Sequence, residues 1–395
     1  MAKKKDDKAG SELKRGWIDI SNISSNNLYK TLKDESEYTK KLFEALQSKD
    51  LNLNNIVNKL PKSNTISRQQ ISKNLNEAYQ REQLVLALGA GISIEFGIPS
   101  WNLLLQSLMV HSIEKENNVS TVLAKLFNEI FRPNPLIAGR YLQEYFEKND
   151  SSFESMVRDV LYSEMDKDKK SKLLDEIVKI CVAPGKSPNL DSIITYNFDD
   201  ILEYKLKKTE MPIPYKSVYG IGIEVKNDEL PIYHVHGYLP ETDKLNDSHK
   251  ITFGESNYHQ QYSDIYSWNN MVQINKFREN TCLFIGSSLT DPNTRRLLDI
   301  AYKQKGNKKK HHYIFKERMD KQKLNENLKK TLESEEVLNN KNTAGLDFDE
   351  TIKLLSEIYE RFEENDSASF GVKTIWIDNW GEVPEMLKKM RENVS

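Results

Sequence analysis

Only two cysteines, Cys181 and Cys282, occur in 395 residues. Two thiols cannot build a four-thiolate zinc ribbon or a disulfide framework, and their scarcity fits a reducing compartment. Charge of one sign is also lacking. With 57 basic and 59 acidic side chains the net charge is −2, so there is no overall basic footprint for nucleic acid or an anionic membrane. Long hydrophobic runs are missing too. The longest, Leu84–Ile92, is interrupted by two glycines and falls well short of the roughly 20 apolar residues that cross a bilayer. The basic start MAKKKDDKAGSELKRG leads into no apolar segment of the secretory kind. These absences describe a cytoplasmic protein with no membrane association and no direct nucleic-acid binding.

What is present is enough apolar material, 38% of residues, for a substantial core with polar extensions. Residues 1–80 are rich in Asn, Lys, Ser and Glu and read as a polar N-terminal extension, an arm for a partner or an oligomer. Within it Tyr38–Leu46 carries the spacing of a short amphipathic helix, and Ser63–Ser67 reads as loop and cap. From residue 81 onward apolar strands are expected at Leu84–Leu88, Asn189–Thr195, Pro231–Val235, Thr281–Ile285, His312–Phe315 and Val372–Ile377. Helical periodicity covers Trp101–Ile113, faces with Phe127, Ile130 and Phe131 and with Leu142, Tyr145 and Phe146, and then Asp199–Lys208, Asn257–Phe277, Asp291–Lys303 and Val383–Met390. A helical insertion occupies about 102–188 and a charged helical segment about 317–364. Strands alternating with helices indicate the α/β class, a Rossmann-like, mostly parallel sheet covered on both faces.

Four strand ends carry polar or glycine-rich turns. After the first strand come Gly89, Ala90, Gly91 and Ser93, where glycines let backbone approach a pyrophosphate and the N–H groups of a following helix start can face it. The spacing is not G-x-G-x-x-G, because the third position is Ile94, and a plain structural turn explains the pair equally well. In Ile193–Leu202 the residues Thr195, Asn197, Asp199 and Asp200 stand where open α/β sheets bind ligands, yet helix capping accounts for them too. In Tyr233–Leu239, His236 ends a strand. His234 shares its face by alternation, so a metal pair is conceivable, but no neighbouring His, Cys or Asp spacing completes a ligand set. In Cys282–Arg296 the small turn Gly286-Ser287-Ser288 precedes Asp291 as helix N-cap with Pro292 at the first helical position. The basic run Lys303–His312 reads as a solvated loop. Tyr258, Tyr262 and Tyr266 form a stripe that reads first as one packed helix face, with a wall of the ligand pocket as the alternative.

Turns at successive strand ends gather along one edge of a parallel sheet, and here their order and wording carry a resemblance. Gly89-Ala90-Gly91-Ile92-Ser93 with Gly97-Ile98-Pro99, then Thr195-Tyr196-Asn197-Phe198-Asp199, then His236-Gly237, then Gly286-Ser287-Ser288-Leu289 resemble the sirtuin (silent information regulator two) NAD-binding domain. That family reads GAGxSxxxGIP, TxNxD, HG and GTSL. The matches span 84–300, a little over half the chain. The resemblance implies a sirtuin-like catalytic domain over 81–395. In it Gly89, Ala90, Gly91, Ser93 and Pro99 line the NAD diphosphate site, with Thr195 alongside. Asn197 holds the nicotinamide ribose and a water, Asp199 helps place the nicotinamide amide, and His236 is the catalytic base. Gly286, Ser287 and Ser288 contact the adenosine half.

Departures from the deacylase sirtuins narrow the reading. Their four-cysteine zinc module has no counterpart, because no cysteine falls between His236 and Cys282. Their GIPDFR continuation is here Gly97-Ile98-Pro99-Ser100-Trp101. The chain is therefore similar to the bacterial sirtuin-like NAD hydrolases of antiphage defence. The resemblance implies NAD as substrate, nicotinamide and ADP-ribose as products, no metal, and loss of cellular NAD in abortive infection. It also implies a homo-oligomer and a phage-sensing partner such as a HerA-type ATPase. The rival readings are an NAD-dependent ADP-ribosyltransferase or deacylase and a non-catalytic nucleotide-binding regulatory module.

Overall fold

Five consecutive apolar residues cannot alternate between wet and dry faces, so a strand made of Leu84–Leu88 must be covered on both sides. The computed structural model describes residues 67–117, 135–148, 152–182, 188–210, 213–306, 311–334 and 348–392. Its strands are β1 (Leu84–Leu88), β2 (Leu190–Thr195), β3 (Tyr215–Val218), β4 (Leu230–His234), β5 (Thr281–Ile285), β6 (His312–Glu317) and β7 (Val372–Ile377). All pair in parallel, in the order β3-β4-β2-β1-β5-β6-β7. The chain is α/β and Rossmann-like. Every residue of β1 is buried. Leu84, Leu86 and Leu88 feed one core while Val85 and Ala87 feed the other, the period-two division that a sheet between two helical layers requires.

The helices are α1 (Arg68–Gln80), α2 (Trp101–Asn117), α3 (Pro135–Lys148), α4 (Phe153–Tyr162), α5 (Lys172–Ile180), α6 (Ile201–Lys207), α7 (Glu255–Ser263), α8 (Trp268–Glu279), α9 (Pro292–Gln304), α10 (Lys321–Ser334), α11 (Phe348–Ser369) and α12 (Val383–Glu392). The chain divides into a larger unit, Lys62–Arg318 with Glu360–Ser395, and a smaller one, Met1–Pro61 with Met319–Tyr359. The larger unit holds the whole sheet. Within the smaller, the described residues form α10 and the first part of α11.

Within the stretch read as a polar extension, residues 68–80 form α1. Ser67 caps it by accepting from Gln70 N at 3.2 Å. The helix buries Ile71, Leu75 and Tyr79, and the Tyr79 hydroxyl donates to Ile180 O at 2.8 Å. The expected helices at Tyr38–Leu46 and around Phe127, Ile130 and Phe131 lie outside the described residues.

Three local expectations are corrected. The helix expected over 257–277 breaks at 264–267, so α7 and α8 are separate and Tyr258, Tyr262 and Tyr266 do not share a packed face. Tyr258 is buried, whereas Tyr266 is 82% exposed. Strand β3, short and partly exposed at the sheet edge, had no apolar run to reveal it. His312, at the end of the basic run, is not solvated. It opens β6 in the core, where its Nδ1 accepts from Cys282 N at 3.0 Å.

The strand order positions the site. From β1 the chain proceeds to β2 on one side, and from β5 to β6 on the other. Past the loops after β1 and β5 the chain therefore leaves in opposite directions, the arrangement that opens a crevice at the carboxyl edge of the sheet.

Candidate functional site

The loops after β1 and β5 meet backbone to backbone. Gly89 N donates to Ile285 O and Gly91 N to Gly286 O, each at 2.9 Å. A Cβ on Gly89 would lie 2.5 Å from Gly286 O, and one on Gly91 2.7 Å from Gly286 Cα. Contacts this short with backbone cannot relax, so this packing of loop on loop already requires both glycines. Beyond them the chain makes two short 3-10 turns, Ala90–Ile92 and Ile94–Phe96. The next α-helix, α2, starts at Trp101, where its helical spacing placed it, so its first turn stands beyond the glycines rather than directly behind them.

The loop after β2 is locked onto the β1 loop through one buried serine. Asn197 Nδ2 donates to Gly89 O and to Ser93 Oγ, both at 3.2 Å, and Ser93 Oγ donates to Asp199 Oδ1 at 3.0 Å. Asn197 N donates to Thr195 Oγ1 at 3.1 Å. With the Asn197 NH₂ group committed, its amide oxygen is the atom left to address a ligand. Burial pushes the Asp199 carboxyl up to about 6, against the opposing donation of Ile201 N and Ser93 Oγ.

At the end of β4 the two histidines part company. His234 is buried against Glu203, Nε2 to Oε1 2.7 Å, with its Nδ1 3.2 Å from Asn197 O. Burial disfavours the Glu203 charge, yet His234 and the Ser217 hydroxyl hold its carboxyl below the usual range. His234 thus braces the Asn197 backbone and does not pair with His236. Among the described residues no cluster of three or more His, Cys, Asp or Glu has metal-binding geometry. His236 is 8% exposed and its Nε2 has no hydrogen-bond partner. Burial lowers its pKa below the ordinary value while nearby Asp291 works the other way, so the imidazole is neutral at pH 7.

These loops enclose a cavity of about 680 Å³, within the range of small-molecule sites. Gly89, Ala90, Gly91, Pro99, Asn197, Asp199, His236, Gly286, Ser287 and Ser288 all face it. Ser93 and Thr195, also singled out in the sequence, are buried and stand behind the wall, holding Asn197. The sequence reading missed other wall residues. Leu136 and Leu161 come from the inserted helices, and Tyr196, Thr252, Tyr258 and Asp291 flank His236. The tyrosine stripe, read as packing with a pocket wall as its alternative, and the helix cap, read as structural, were the only signals. Trp101 also reaches the wall, packed on Phe253 with ring centroids 4.5 Å apart.

Residues 191–340 match the SIR2-like domain family. That stretch takes in the loops after β2, β4 and β5, and the glycine loop after β1 lies upstream of it. The chain is also similar to NAD(+) hydrolase ThsA of Enterococcus faecium, with 21% identity over 332 residues. The similarity covers 83% of this chain and 59% of that protein, so the chain spans less than two thirds of the relative's length.

Proposed function

For a chain that carries a SIR2-like domain, we propose that the cavity binds NAD as substrate and hydrolyses it to nicotinamide and ADP-ribose. One observation carries this reading. Asn197 and the unpartnered, neutral His236 face the same cavity as the backbone-lined loops Gly89–Gly91 and Gly286–Ser288. A phosphate-tolerant wall thus stands opposite a base and an amide. The name of the Enterococcus relative agrees in kind.

The nicotinamide of NAD is a cationic leaving group on C1′. When the glycosidic C–N bond breaks, its electron pair neutralises the pyridinium, so the departing group needs no acid. Positive charge develops at C1′, and the protein's task is to hold the ribose and deliver one oriented water. The amide oxygen of Asn197 orients that water. As its oxygen bonds to C1′, a proton passes to His236 Nε2, a step typically worth ~10²–10⁴-fold. Asp199 sits beside Asn197 to receive the nicotinamide carboxamide. Gly89, Ala90, Gly91 and Pro99 take the diphosphate side, and Gly286, Ser287 and Ser288 the adenosine side. Ser93 and Thr195 act through Asn197.

His236→Ala and Asn197→Ala are expected to cut nicotinamide release from NAD by at least about 100-fold in folded protein. Turnover at the wild-type rate in either variant would overturn the assignment. Release of nicotinamide in excess of free ADP-ribose would instead indicate transfer to an acceptor.

In the cell this activity would act in the bacterial cytoplasm as NAD depletion in antiphage defence. A homo-oligomer would carry it out under the control of a phage-sensing partner such as a HerA-type ATPase. Exposed Leu103 on α2 and Ile137 and Tyr141 on α3 support assembly through the inserted helices. Intracellular NAD measured during infection, with and without His236→Ala, tests the defence role, and light scattering of the purified protein tests the assembly.

A further inference from the structure

Asp291 reads in sequence as the N-cap of α9, and it does fill that role, its Oδ1 accepting from Thr294 N at 2.6 Å. A cap uses one carboxylate oxygen. The other, Oδ2, accepts the Tyr258 hydroxyl at 2.5 Å and lies 3.9 Å from His236 Nε2. Two donors on separate helices therefore fix the orientation of this carboxylate, and the orientation presents Oδ2 to His236 Nε2, a buried ring nitrogen with no hydrogen-bond partner. The titratable groups facing His236 are Tyr196 at the end of β2, Tyr258 on α7 and Asp291 at the start of α9. Asp291 is the carboxyl group among these. All four residues face the cavity.

We propose that Asp291 is a positioning residue that stabilises the protonated form of His236 during turnover, with Tyr258 restraining its carboxylate. This inference rests on the reading of His236 as the base in NAD hydrolysis. A buried imidazole that takes a proton from water becomes a cation in a poorly solvating site, and a fixed carboxylate oxygen 3.9 Å away, about 1 Å beyond hydrogen-bond distance, offsets that cost. The proton stays on Nε2 and does not move to Asp291. In the resting state burial outweighs the pull of Asp291, so the imidazole stays neutral and ready to accept.

Two conservative variants should move His236 in opposite directions. Asp291→Asn keeps the cap, since Asn serves as well there, but removes the charge. The His236 midpoint should fall by about one pH unit, with a loss of about 10-fold or more in kcat. Tyr258→Phe frees Oδ2 and should raise the midpoint. The measurements are a histidine-labelled NMR titration of the full chain without NAD, with His236→Ala assigning the resonance, and the acid limb of kcat against pH for nicotinamide release. Opposite shifts that appear in both measurements support the pair. An unmoved midpoint in both folded variants, with activity lost equally, would reduce Asp291 and Tyr258 to packing and overturn the proposal. Failure of the hydrolase reading looks different. His236→Ala would then release nicotinamide normally while the titration shifts persisted, and the role of the pair in turnover would fall with it.

Discussion

Asp199 is the residue whose burial works most plainly against stability. Its carboxyl is pushed up to about 6 from an ordinary value near 3.8, so the folded state binds a proton more tightly than the unfolded chain. Linkage then gives the sign. The favourable contribution is present at low pH and is lost as pH rises through about 6. Asn can accept the same Ser93 and Ile201 donors without the buried charge. Asp199→Asn is therefore expected to gain about 1–3 kcal/mol over wild type near pH 8 and to converge with it only near pH 3, below the ordinary value of 3.8. Thermal melts at both pH values check this. Equal melting temperatures at pH 8 would show that the carboxylate is better solvated than its surroundings suggest. If Asp199 receives the nicotinamide amide, the stabler variant should also be the poorer enzyme, the trade expected at a functional site.

At the scale of elements, His236 is held by a buried polar network that no single motif displays. Thr252 N donates to His236 O at 2.7 Å, and Gln261 Nε2 on α7 donates to Thr252 Oγ1 at 2.7 Å. Asn293 Nδ2, in the first turn of α9, donates to Gln261 Oε1 at 2.9 Å and to Asn270 Oδ1 of α8 at 3.0 Å. Arg296 donates to Asn293 Oδ1 through Nη2 at 2.8 Å. Satisfied networks of this kind rigidify, and partly satisfied ones are costly. Asn293→Ala leaves acceptors on α7 and α8 and the Arg296 fork short of partners, so a loss of about 1–3 kcal/mol is expected by urea denaturation. A change within experimental error would mean that water replaces the amide. The inserted helices join the site in a comparable way. The Tyr162 hydroxyl lies 2.8 Å from Leu239 O and 2.9 Å from Asp200 Oδ1, so α4 bridges the loops after β2 and β4.

For the whole molecule, three buried histidines govern the response to acid. Burial lowers the pKa of His236, His249 and His312, so below pH 6.5 the unfolded chain takes up protons that the folded one resists. Their contribution to stability is present above the unfolded value near 6.5 and is lost as pH falls through it. Stability should thus decline from about pH 6.5 downward, and more steeply in Asp199→Asn, where the opposing carboxylate is gone. Urea midpoints measured across that range test this, and a flat profile would contradict it.

The sequence by itself determined the α/β class, because uninterrupted apolar runs such as Leu84–Leu88 and Thr281–Ile285 can only be strands buried on both faces. It also pointed to the strand ends that line the cavity, because Gly89–Gly91, Asn197, Asp199, His236 and Gly286–Ser288 stand shortly after those runs. It could not show that strand β3 exists, since an edge strand with one polar face leaves no apolar signature. Nor could it separate His234 from His236, two residues apart in one motif, or tell Ser93 and Thr195 as braces from residues on the wall. Those side-chain distinctions depend on contacts around the loop after β2, where His234 meets Glu203 and Ser93 and Thr195 meet Asn197. The tertiary structure alone set the Gly286 backbone where the Cβ atoms of Gly89 and Gly91 would be. It also brought Leu136, Leu161, Tyr258 and Asp291 from distant helices to the cavity. Periodicity and spacing record a residue's neighbours along the chain, whereas the protonation and orientation of a buried group are set by neighbours that only folding supplies.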